Sequence, residues 1–465
     1  MKSHRAGTVI VSLLLCLPPM AARADKVDEF LRAQMAARHV PGLSVAVVRD
    51  GKVVLARGCG LANVELSVPA TRDTVYQLAS VTKQFTATAI MMLVEEGKIG
   101  LDEKISHYLD GLPSAWGDIR VRHLLSHTSG IKSYTSVPDF FKTARKDYAK
   151  EEILKLVTDA PLDFSPGEKW SYSNTGYFLL GMLIEKVTGK AYGAFLNERI
   201  FQPLGMTRTR VNDLTEIIRN RASGYTWQQE CLRNGEYVSP TQPFAAGALV
   251  STVSDMAKWD AALYTGRLLK RSSFVQMWTP VKLNDGKATT YGFGWQIEEY
   301  RTRKRISHGG GIPGFSTEIS RFVDDHLTVI VLANSDSADA GSLATGVAAF
   351  YIPALVAHAP KPIADDDPKM TRRLRDLMTA IAAGDADPRL FTEQAKADLF
   401  PGHIQEGKAL LGSHGTLQSF DLMEEKSEGK HRTRSYRAAW KDLNLRCSFT
   451  LTEEGKIDGM GIRPE

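Results

Sequence analysis

The residues best suited by type and spacing to do chemistry are Ser80 and Lys83, in the segment Ser80-Val-Thr-Lys83. At the start of a helix, positions three apart share one face, so the Lys83 amine can approach the Ser80 hydroxyl. A serine hydroxyl becomes a strong nucleophile when a neighbouring base takes its proton, and an amine is such a base when burial or nearby charge lowers its pKa. The N-terminus of the same helix offers backbone N–H groups to a developing oxyanion. The segment therefore predicts a nucleophilic serine beside its base.

The spacing alone is weak evidence, because it also occurs at Ser129 and Lys132 and at Ser427 and Lys430. The first of these pairs lies in a loop that contains glycine and the second lies beside Gly429, so neither opens a buried helix. The simpler alternative for the first motif is a serine that caps its helix, followed by a solvated lysine.

Two further motifs follow in order along the chain. Tyr172 and Asn174 form a Y-x-N sequence, and His308 is followed by three glycines at the end of a predicted strand. With the first motif, this set resembles the serine β-lactamase and penicillin-binding protein superfamily, in particular its class C-like branch, whose motifs are S-x-x-K, Y-x-N and K-T-G or H-x-G. The resemblance runs from about residue 27 to 355 and includes the stretches 123–130, 203–206 and 246–252.

The resemblance implies three catalytic residues. Ser80 is the nucleophile that becomes acylated, and Lys83 is its proton partner. Tyr172 is the second base, with its phenolate favoured by the lysine ammonium. It protonates the leaving group and then helps to activate water for deacylation. A tyrosine that packs against a turn is the simpler alternative for this position.

The resemblance also implies the residues that bind the substrate and its oxyanion. Asn174 holds the lysine and the substrate amide by hydrogen bonds, and its simpler alternative is an Asx turn. Gly310 and Gly311 belong to the third motif, and the N–H groups of Gly311 and Ser80 form the oxyanion hole. His308 faces the substrate from the strand, and its three following glycines let a substrate backbone lie close.

His308 departs from the β-lactamases of the superfamily, which carry a lysine there that attracts a substrate carboxylate. An imidazole has an ordinary pKa of about 6.5, so it is mostly neutral at pH 7 and we expect weaker carboxylate capture. We therefore expect a serine hydrolase that cleaves an amide or ester through a Ser80 acyl-enzyme, a D-amino-acid peptidase or esterase ahead of a β-lactamase, without a metal or organic cofactor. The alternative is a non-catalytic protein that kept the fold and binds cell-wall peptides or penicillin.

Other candidate sites have simpler interpretations. His123 and His127 have the spacing of a zinc site, but the adjacent glutamate of H-E-x-x-H is missing, so we interpret them as structural. The aromatic segment 291–295 is typical of strand packing rather than of a sugar platform. The basic run 430–434 is interpreted as a solvated strand face.

The elements that must position these residues follow an α+β pattern. Residues 27–38 and the apolar segment 81–96 are predicted helices, and 43–48 with 53–56 form a hairpin around Asp-Gly. Further strands are predicted at 293–299, 303–308, 315–322 and 327–332, before a helix at 338–355. This order predicts one antiparallel sheet built from two distant segments, flanked by helices, with a helical subdomain inserted between its halves, as in the β-lactamase/transpeptidase fold.

Length and composition fit an exported two-domain protein. The 465 residues divide into a cleavable signal peptide at 1–24, the hydrolase domain at 25–357, a proline-rich acidic linker at 358–368 and a small α+β accessory domain at 369–465. In that last domain, a helix at 369–383 and strands at 416–424, 432–440 and 443–451 are expected. We expect the mature protein to be periplasmic or extracellular.

Charge and cysteine content narrow the classes of partner. Removal of the signal peptide takes the formal net charge from +5 to +2, which gives no support for nucleic-acid binding. The apolar run of the signal is too short to span a bilayer, so we expect no transmembrane segment and a small-molecule or peptide substrate as the partner. Cys59, Cys231 and Cys447 allow at most one disulfide, and three thiols are the favoured interpretation. The oligomeric state is left open.

Overall fold

The structure is a computed structural model that describes residues 20–138, 140–356, 362–412, 414–441 and 443–464. Residues 1–19 of the predicted signal peptide and residues 358–361 of the predicted linker therefore lie outside the described residues. The chain divides into two compact units, of which the first ends at Val356. Within the described residues, no helix combines the length and the apolar character needed to cross a membrane.

The strands of the first unit are listed here in chain order. They are β1 (Gly42–Arg49), β2 (Lys52–Asn63), β3 (Val68–Pro69), β4 (Tyr76–Gln77), β5 (Arg210–Val211), β6 (Tyr225–Gln228), β7 (Cys231–Asn234), β8 (Leu249–Ser251), β9 (Gln296–Tyr300), β10 (Arg303–Ile312), β11 (Phe315–Phe322) and β12 (Leu327–Ala333). Seven of them form an antiparallel sheet in the order β3-β2-β1-β12-β11-β10-β9. Strands β4, β8 and β5 form a small sheet, and β6 pairs with β7.

The helices of the first unit come largely from between the two halves of the sheet. They are α1 (Met20–Ala37), α2 (Thr82–Glu95), α3 (Val121–Leu125), α4 (Lys150–Thr158), α5 (Asn174–Thr188), α6 (Tyr192–Leu196), α7 (Gln202–Leu204), α8 (Phe244–Gly247), α9 (Val253–Ala262), α10 (Arg271–Met277) and α11 (Ala340–Ala349). Because β1 pairs with β12 at the centre of the sheet, the two ends of this unit meet there. The predicted α+β fold with an inserted helical region is confirmed.

The central strand β1 separates two hydrophobic cores. Val45 and Val47 face the core formed with α1 and α11, whereas Ala46 and Val48 face the larger core that contains α2, α5 and α9. This alternation follows from the period-two geometry of a strand and explains why the sequence of β1 is an uninterrupted apolar run. The sheet thus supports the helix that carries Ser80 and Lys83.

The predicted hairpin is confirmed, and the predicted strand at 293–299 begins later than expected. Asp50 and Gly51 join β1 to β2 with φ angles of 51° and 72°. Strand β9 begins only at Gln296, because residues 292–295 turn back on themselves through the bond from Gly292 N to Trp295 O. A side chain at Gly292 would overlap the Met277 carbonyl oxygen, so this turn requires glycine.

The helix predicted at 338–355 is shorter in the structure. Helix α11 spans Ala340–Ala349 and is capped by Asp339, whose Oδ1 accepts a bond of 3.1 Å from Ser342 N. Pro353 opens a separate 3₁₀ turn, Pro353–Leu355. The proline lacks an N–H group, so it cannot continue the helix.

The second unit contains a four-stranded antiparallel sheet packed against helices. Its elements are α12 (Pro368–Ala383), α13 (Glu393–Leu399), α14 (Gly402–Leu411), β13 (Ser419–Glu428), β14 (His431–Ala439), β15 (Asn444–Leu451) and β16 (Ile457–Pro464), and the strands pair in chain order. The predicted helix and three strands are present, while α13, α14 and β16 were not predicted. Met460 and Ile462 of β16 pack on the core between glycine and polar residues, which weakens the apolar signal.

The basic run 430–434 is not a fully solvated strand face. Arg434 is entirely buried, with its Nε 2.8 Å from a carboxylate oxygen of Glu425 and a second ion pair to Asp365. Arg432 forms an ion pair of 2.6 Å with Asp366. The acidic residues of the predicted linker therefore neutralise this run within the second unit, a long-range pairing that the local sequence does not reveal.

Candidate active site

Ser80 and Lys83 lie where a 3₁₀ turn runs into a buried helix. The turn Ala79–Val81 continues directly into α2. Ala79 has a φ angle of 46°, a left-handed conformation that costs an alanine about 1–3 kcal/mol and is typical of functional sites. The Lys83 Nζ atom lies 3.0 Å from the Ser80 Oγ atom. The structure thus brings together the two groups that the S-x-x-K spacing predicted.

The surroundings of Lys83 favour a neutral amine. The side chain is fully buried, and its other two hydrogen-bond partners are Asn174 Oδ1 and Ala246 O, each at 2.8 Å. Because all three of these partners are uncharged, desolvation lowers the pKa of Lys83 well below its ordinary value of 10.5. A neutral amine can donate to the two carbonyl oxygens and accept the Ser80 hydroxyl proton with its lone pair. The arrangement allows the amine to take a proton from the Ser80 hydroxyl.

Asn174 is the first residue of α5 and joins Lys83 to a neighbouring loop. Its Oδ1 accepts the bond from the lysine, while its Nδ2 donates to Thr135 Oγ1 at 3.1 Å. Its backbone N–H donates to Ser133 Oγ at 3.1 Å. These bonds fix the amide so that its oxygen faces the amine, as expected from the resemblance.

Tyr172 lies beside Lys83, but its charge state differs from the expectation. The Lys83 Nζ atom is 4.8 Å from the centroid of the Tyr172 ring. Burial raises the pKa of Tyr172 above its ordinary value of 10, and a hydrogen bond with Ser80 offsets only part of this shift. A phenolate stabilised by a lysine ammonium is not the favoured state, because burial also lowers the pKa of the Lys83 amine. Tyr172 is thus a phenol able to donate a proton.

His308 is in β10, and its ring is turned into the protein. It is 5% exposed, with Nε2 2.7 Å from Tyr291 Oη and Nδ1 2.6 Å from Gly309 O. The carbonyl oxygen requires a proton on Nδ1, which leaves Nε2 to accept from the tyrosine. Burial lowers the pKa of His308 to about 3. The expected neutral imidazole is present, but its ring does not line the cavity beside Ser80.

The three glycines after His308 differ in the space that surrounds them. A Cβ at Gly309 would stand 3.0 Å from Oε2 of Glu318, its cross-strand neighbour. A Cβ at Gly310 would lie 2.2 Å from Leu78 O and 3.0 Å from Ser80 N, so only glycine lets β10 approach the nucleophile turn. Gly311 alone has open space at this position and lines the cavity beside Ser80. The expected room for a substrate backbone is therefore confined to Gly311.

A group of aromatic rings surrounds the site, and sequence reasoning gave it no role. His127 lies at its centre, with ring centroids 4.2 Å from Tyr172, 4.7 Å from Tyr291 and 5.2 Å from Tyr177. Burial lowers the pKa of His127 well below 6.5, and its Nδ1 accepts a bond from Ser173 N at 3.2 Å. The available signal was the position of His127 in one of the family-like stretches. This ring group packs against Tyr172.

The remaining sequence candidates are placed as follows. His123 accepts a bond from Arg120 N at its Nδ1, and burial together with nearby arginines lowers its pKa to about 4. In the described parts of the chain, no three His, Cys, Asp or Glu side chains are grouped as a metal would need. Cys59, Cys231 and Cys447 are free thiols.

The site can now be compared with known proteins. The family model described as Beta-lactamase matches residues 27–351. The chain belongs to the β-lactamase family. The match begins in α1, ends just after α11 and so contains all three motifs. The second unit lies outside it.

Individual members of the family resemble the chain to different extents. A penicillin-binding protein of Bacillus subtilis (strain 168) is 33% identical over 319 residues, which are 64% of this chain and 69% of that protein. The D-amino acid amidase of Ochrobactrum anthropi SV3, solved with L-phenylalanine amide, is 29% identical with a TM-score of 0.62, covering 72% of this chain and 97% of that one. An octameric penicillin-binding protein homologue from Pyrococcus abyssi is 24% identical with a TM-score of 0.65, covering 95% and 98% of the two chains. At that identity the last comparison shows the fold alone, and it extends over both units.

Proposed function

We propose that this protein is an exported serine hydrolase that cleaves an amide or ester bond through an acyl-enzyme on Ser80. The observation that carries the proposal is the buried Lys83 amine, which has only uncharged partners and lies 3.0 Å from the Ser80 hydroxyl. A proton acceptor with a lowered pKa beside a serine hydroxyl is the arrangement that activates a nucleophile at neutral pH.

Acylation follows from the protonation states of Lys83 and Tyr172. The Lys83 amine takes the Ser80 proton as Oγ attacks the substrate carbonyl carbon. The N–H groups of Ser80 and Gly311 stabilise the resulting oxyanion. The bond to the leaving group then breaks, and the Tyr172 phenol gives the leaving group its proton. The lysine ammonium restores the tyrosine proton, so both residues return to their neutral states.

Deacylation again uses the Lys83 amine as the base. A water molecule loses a proton to the neutral Lys83 amine and attacks the carbonyl carbon of the acyl-enzyme. The Ser80 ester bond breaks, and the ammonium returns the proton to Oγ. No net proton change remains on the protein, and the product is the free acid.

The position of His308 favours amides and esters over substrates that need carboxylate capture. With a pKa of about 3, this imidazole carries no charge at neutral pH and cannot attract a carboxylate. The D-amino acid amidase among the related structures acts, by its name, on amides of D-amino acids. We therefore place a D-amino-acid amidase, peptidase or esterase activity ahead of β-lactam hydrolysis. Export rests on the charged, apolar and small-residue pattern of residues 1–24.

Three probes test the proposal on the purified protein. They are a fluorescent penicillin, a p-nitrophenyl ester and a D-amino acid amide, each followed by intact mass and by product release. We expect acylation of the wild type and its loss in Ser80→Ala. Ser427→Ala is the matched control, because it removes an exposed serine with the same S-x-x-K spacing and should change nothing.

The outcomes separate the proposal from its alternative. Turnover of an ester or amide that depends on Ser80 supports a hydrolase. Stable labelling by penicillin, with no turnover of any probe, favours the non-catalytic binding protein. Full activity in Ser80→Ala contradicts the assignment of the nucleophile.

A further inference from the structure

A cavity of about 170 Å³ opens beside Ser80 and Asn174. None of the described residues that line it has a charged side chain. Its walls are formed mainly by apolar groups, namely Tyr134, Phe140, Val238, Pro243, Ile312 and Pro313. The three hydrogen-bond partners of the Lys83 amine, Ser80, Asn174 and Ala246, also belong to the lining.

The cavity lies on the acyl side of the reaction. Tyr172 provides the leaving group's proton in the proposed function, so the leaving group must be on the Tyr172 side of the Ser80 hydroxyl. Tyr172 and the His308 ring do not line the cavity, whereas Asn174 and Gly311 do. A carbonyl attacked by Ser80 and held at Gly311 therefore extends its acyl chain into the cavity.

The walls of the cavity are preformed by hydrogen bonds between two segments. Tyr134 donates from its hydroxyl to Gln242 O at 2.8 Å. The Gln242 side chain is fully buried, and its Nε2 lies 2.9 Å from Thr143 O and 2.7 Å from Lys146 O. These bonds tie the segment that carries Phe140 to the segment that carries Val238. Because both walls are held in place, the cavity has a defined size before substrate binds.

We propose that this cavity selects acyl groups with an uncharged, apolar side chain of about the size of a phenyl ring. The inference rests on the proposed function. An apolar protein cavity of about 150 Å³ is large enough to hold benzene, so a space of about 170 Å³ matches a phenyl group. A carboxylate placed there loses its hydration and meets no cation among the lining residues. Small acyl groups fit but leave the apolar walls uncovered.

A series of p-nitrophenyl esters tests this selectivity, because the leaving group stays constant. The acyl groups are acetyl, 3-phenylpropanoyl and succinyl, and kcat/KM is measured for each. We expect the 3-phenylpropanoyl ester to exceed the acetyl ester by about 10-fold or more. We expect the succinyl ester to fall below the 3-phenylpropanoyl ester by about 100-fold, since its carboxylate must be desolvated.

Val238→Phe tests whether this cavity is the source of the selectivity. The larger side chain fills part of the space, so the ratio of kcat/KM for the 3-phenylpropanoyl and acetyl esters should fall by about 10-fold. Val275→Phe is the matched control, because Val275 is 55% exposed on α10 and does not line the cavity. Its ratio should equal that of the wild type. A ratio, unlike a rate, does not depend on the fraction of folded protein.

The outcomes distinguish this inference from the proposed function. Equal kcat/KM values for the three esters overturn the selectivity but leave the hydrolase in place. An unchanged ratio in Val238→Phe overturns the assignment of the cavity. Failure of every ester to acylate Ser80 overturns the proposed function and this inference with it.

Discussion

Among the described residues of the first unit, the side chains of Lys83 and Arg321 are completely buried, and their surroundings differ in one respect. Arg321 has a counter-ion: its Nε donates to Asp260 Oδ1 at 2.8 Å, and the carboxylate is also buried. Its guanidinium lies 4.7 Å from the Tyr264 ring centroid and 4.6 Å from that of Trp278. Lys83 bonds instead to a hydroxyl and two carbonyl oxygens, none of them charged.

The comparison shows that burial has different consequences for the two side chains. Arg321 is held in an ion pair, whereas the pKa of Lys83 is lowered. A buried charge is costly unless an opposite charge compensates it. Arginine keeps its proton at all accessible pH values, so Arg321 requires Asp260. Lysine can lose its proton, and without a counter-ion desolvation lowers the pKa of Lys83 well below its ordinary value. In the proposed function, the missing counter-ion is the feature that prepares Lys83 to activate Ser80.

Replacing the buried base by a permanent cation should have the largest effect. We expect Lys83→Arg to slow acylation of Ser80 by about 10²- to 10⁴-fold, because a guanidinium cannot take the serine proton. The measurement is the acylation rate constant with p-nitrophenyl acetate. Lys132→Arg is the control, since Lys132 has the same S-x-x-K spacing but pairs with Asp163 at 2.9 Å. If Lys83→Arg is acylated as fast as the wild type, Lys83 is not the base that takes the Ser80 proton.

Removing the counter-ion of Arg321 should have the second-largest effect, a loss of stability. In Asp260→Asn the guanidinium stays buried without an opposite charge, so we expect the free energy of unfolding of the first unit to fall by about 3–5 kcal/mol. Urea unfolding of the full chain measures it. Glu236→Gln is the control, because the Arg145–Glu236 pair is exposed and should contribute nothing measurable. Equal unfolding midpoints for Asp260→Asn and the wild type would show that the pair is not needed.

Glu318 extends the comparison to a buried acid. It is 7% exposed, and burial raises its pKa from 4.5 to about 7, opposed by a bond from Ser320 and by Arg305. Because the pKa of Glu318 is raised in the folded protein, the contribution of this residue to stability is greatest below pH 4.5. That contribution is lost as the pH rises through 7. Over that window Glu318 should cost about 3 kcal/mol.

The variant Glu318→Gln isolates this effect, since the amide is nearly isosteric and does not ionise. We expect the wild type to lose about 3 kcal/mol more than the variant between pH 4.5 and pH 8, measured by urea unfolding across that range. Other titrating groups contribute equally to both proteins and cancel in the difference. Parallel pH curves would mean that Glu318 ionises in the folded protein as it does in the unfolded chain.

Much of the fold and the central pair of the site can be predicted from the sequence, because both depend on local patterns. The apolar run of β1, the Asp50-Gly51 turn and the helical spacing of Ser80 and Lys83 are short-range features. The three motifs resemble those of a known family, and the match over residues 27–351 agrees with that resemblance.

The parts that could not be predicted depend on contacts between distant segments. Ala246 O completes the environment of Lys83 from far along the chain, and Tyr291 turns the His308 ring away from the cavity. The charge state of Tyr172 follows from burial, which a motif does not encode. Arg434 is buried only because Asp365 and Glu425 meet it in the folded second unit.

The most direct test of the central claim is a titration of the Lys83 amine by NMR. Lysines labelled with ¹³C at Cε are followed in the substrate-free protein, and the Lys83 signal is assigned by its absence in Lys83→Arg. We predict that this signal titrates well below the ordinary lysine pKa of 10.5, so that Lys83 is neutral at a pH where the other lysines are charged. If Lys83 titrates together with the exposed lysines, the amine is an ammonium at neutral pH and the account of its activation of Ser80 is wrong.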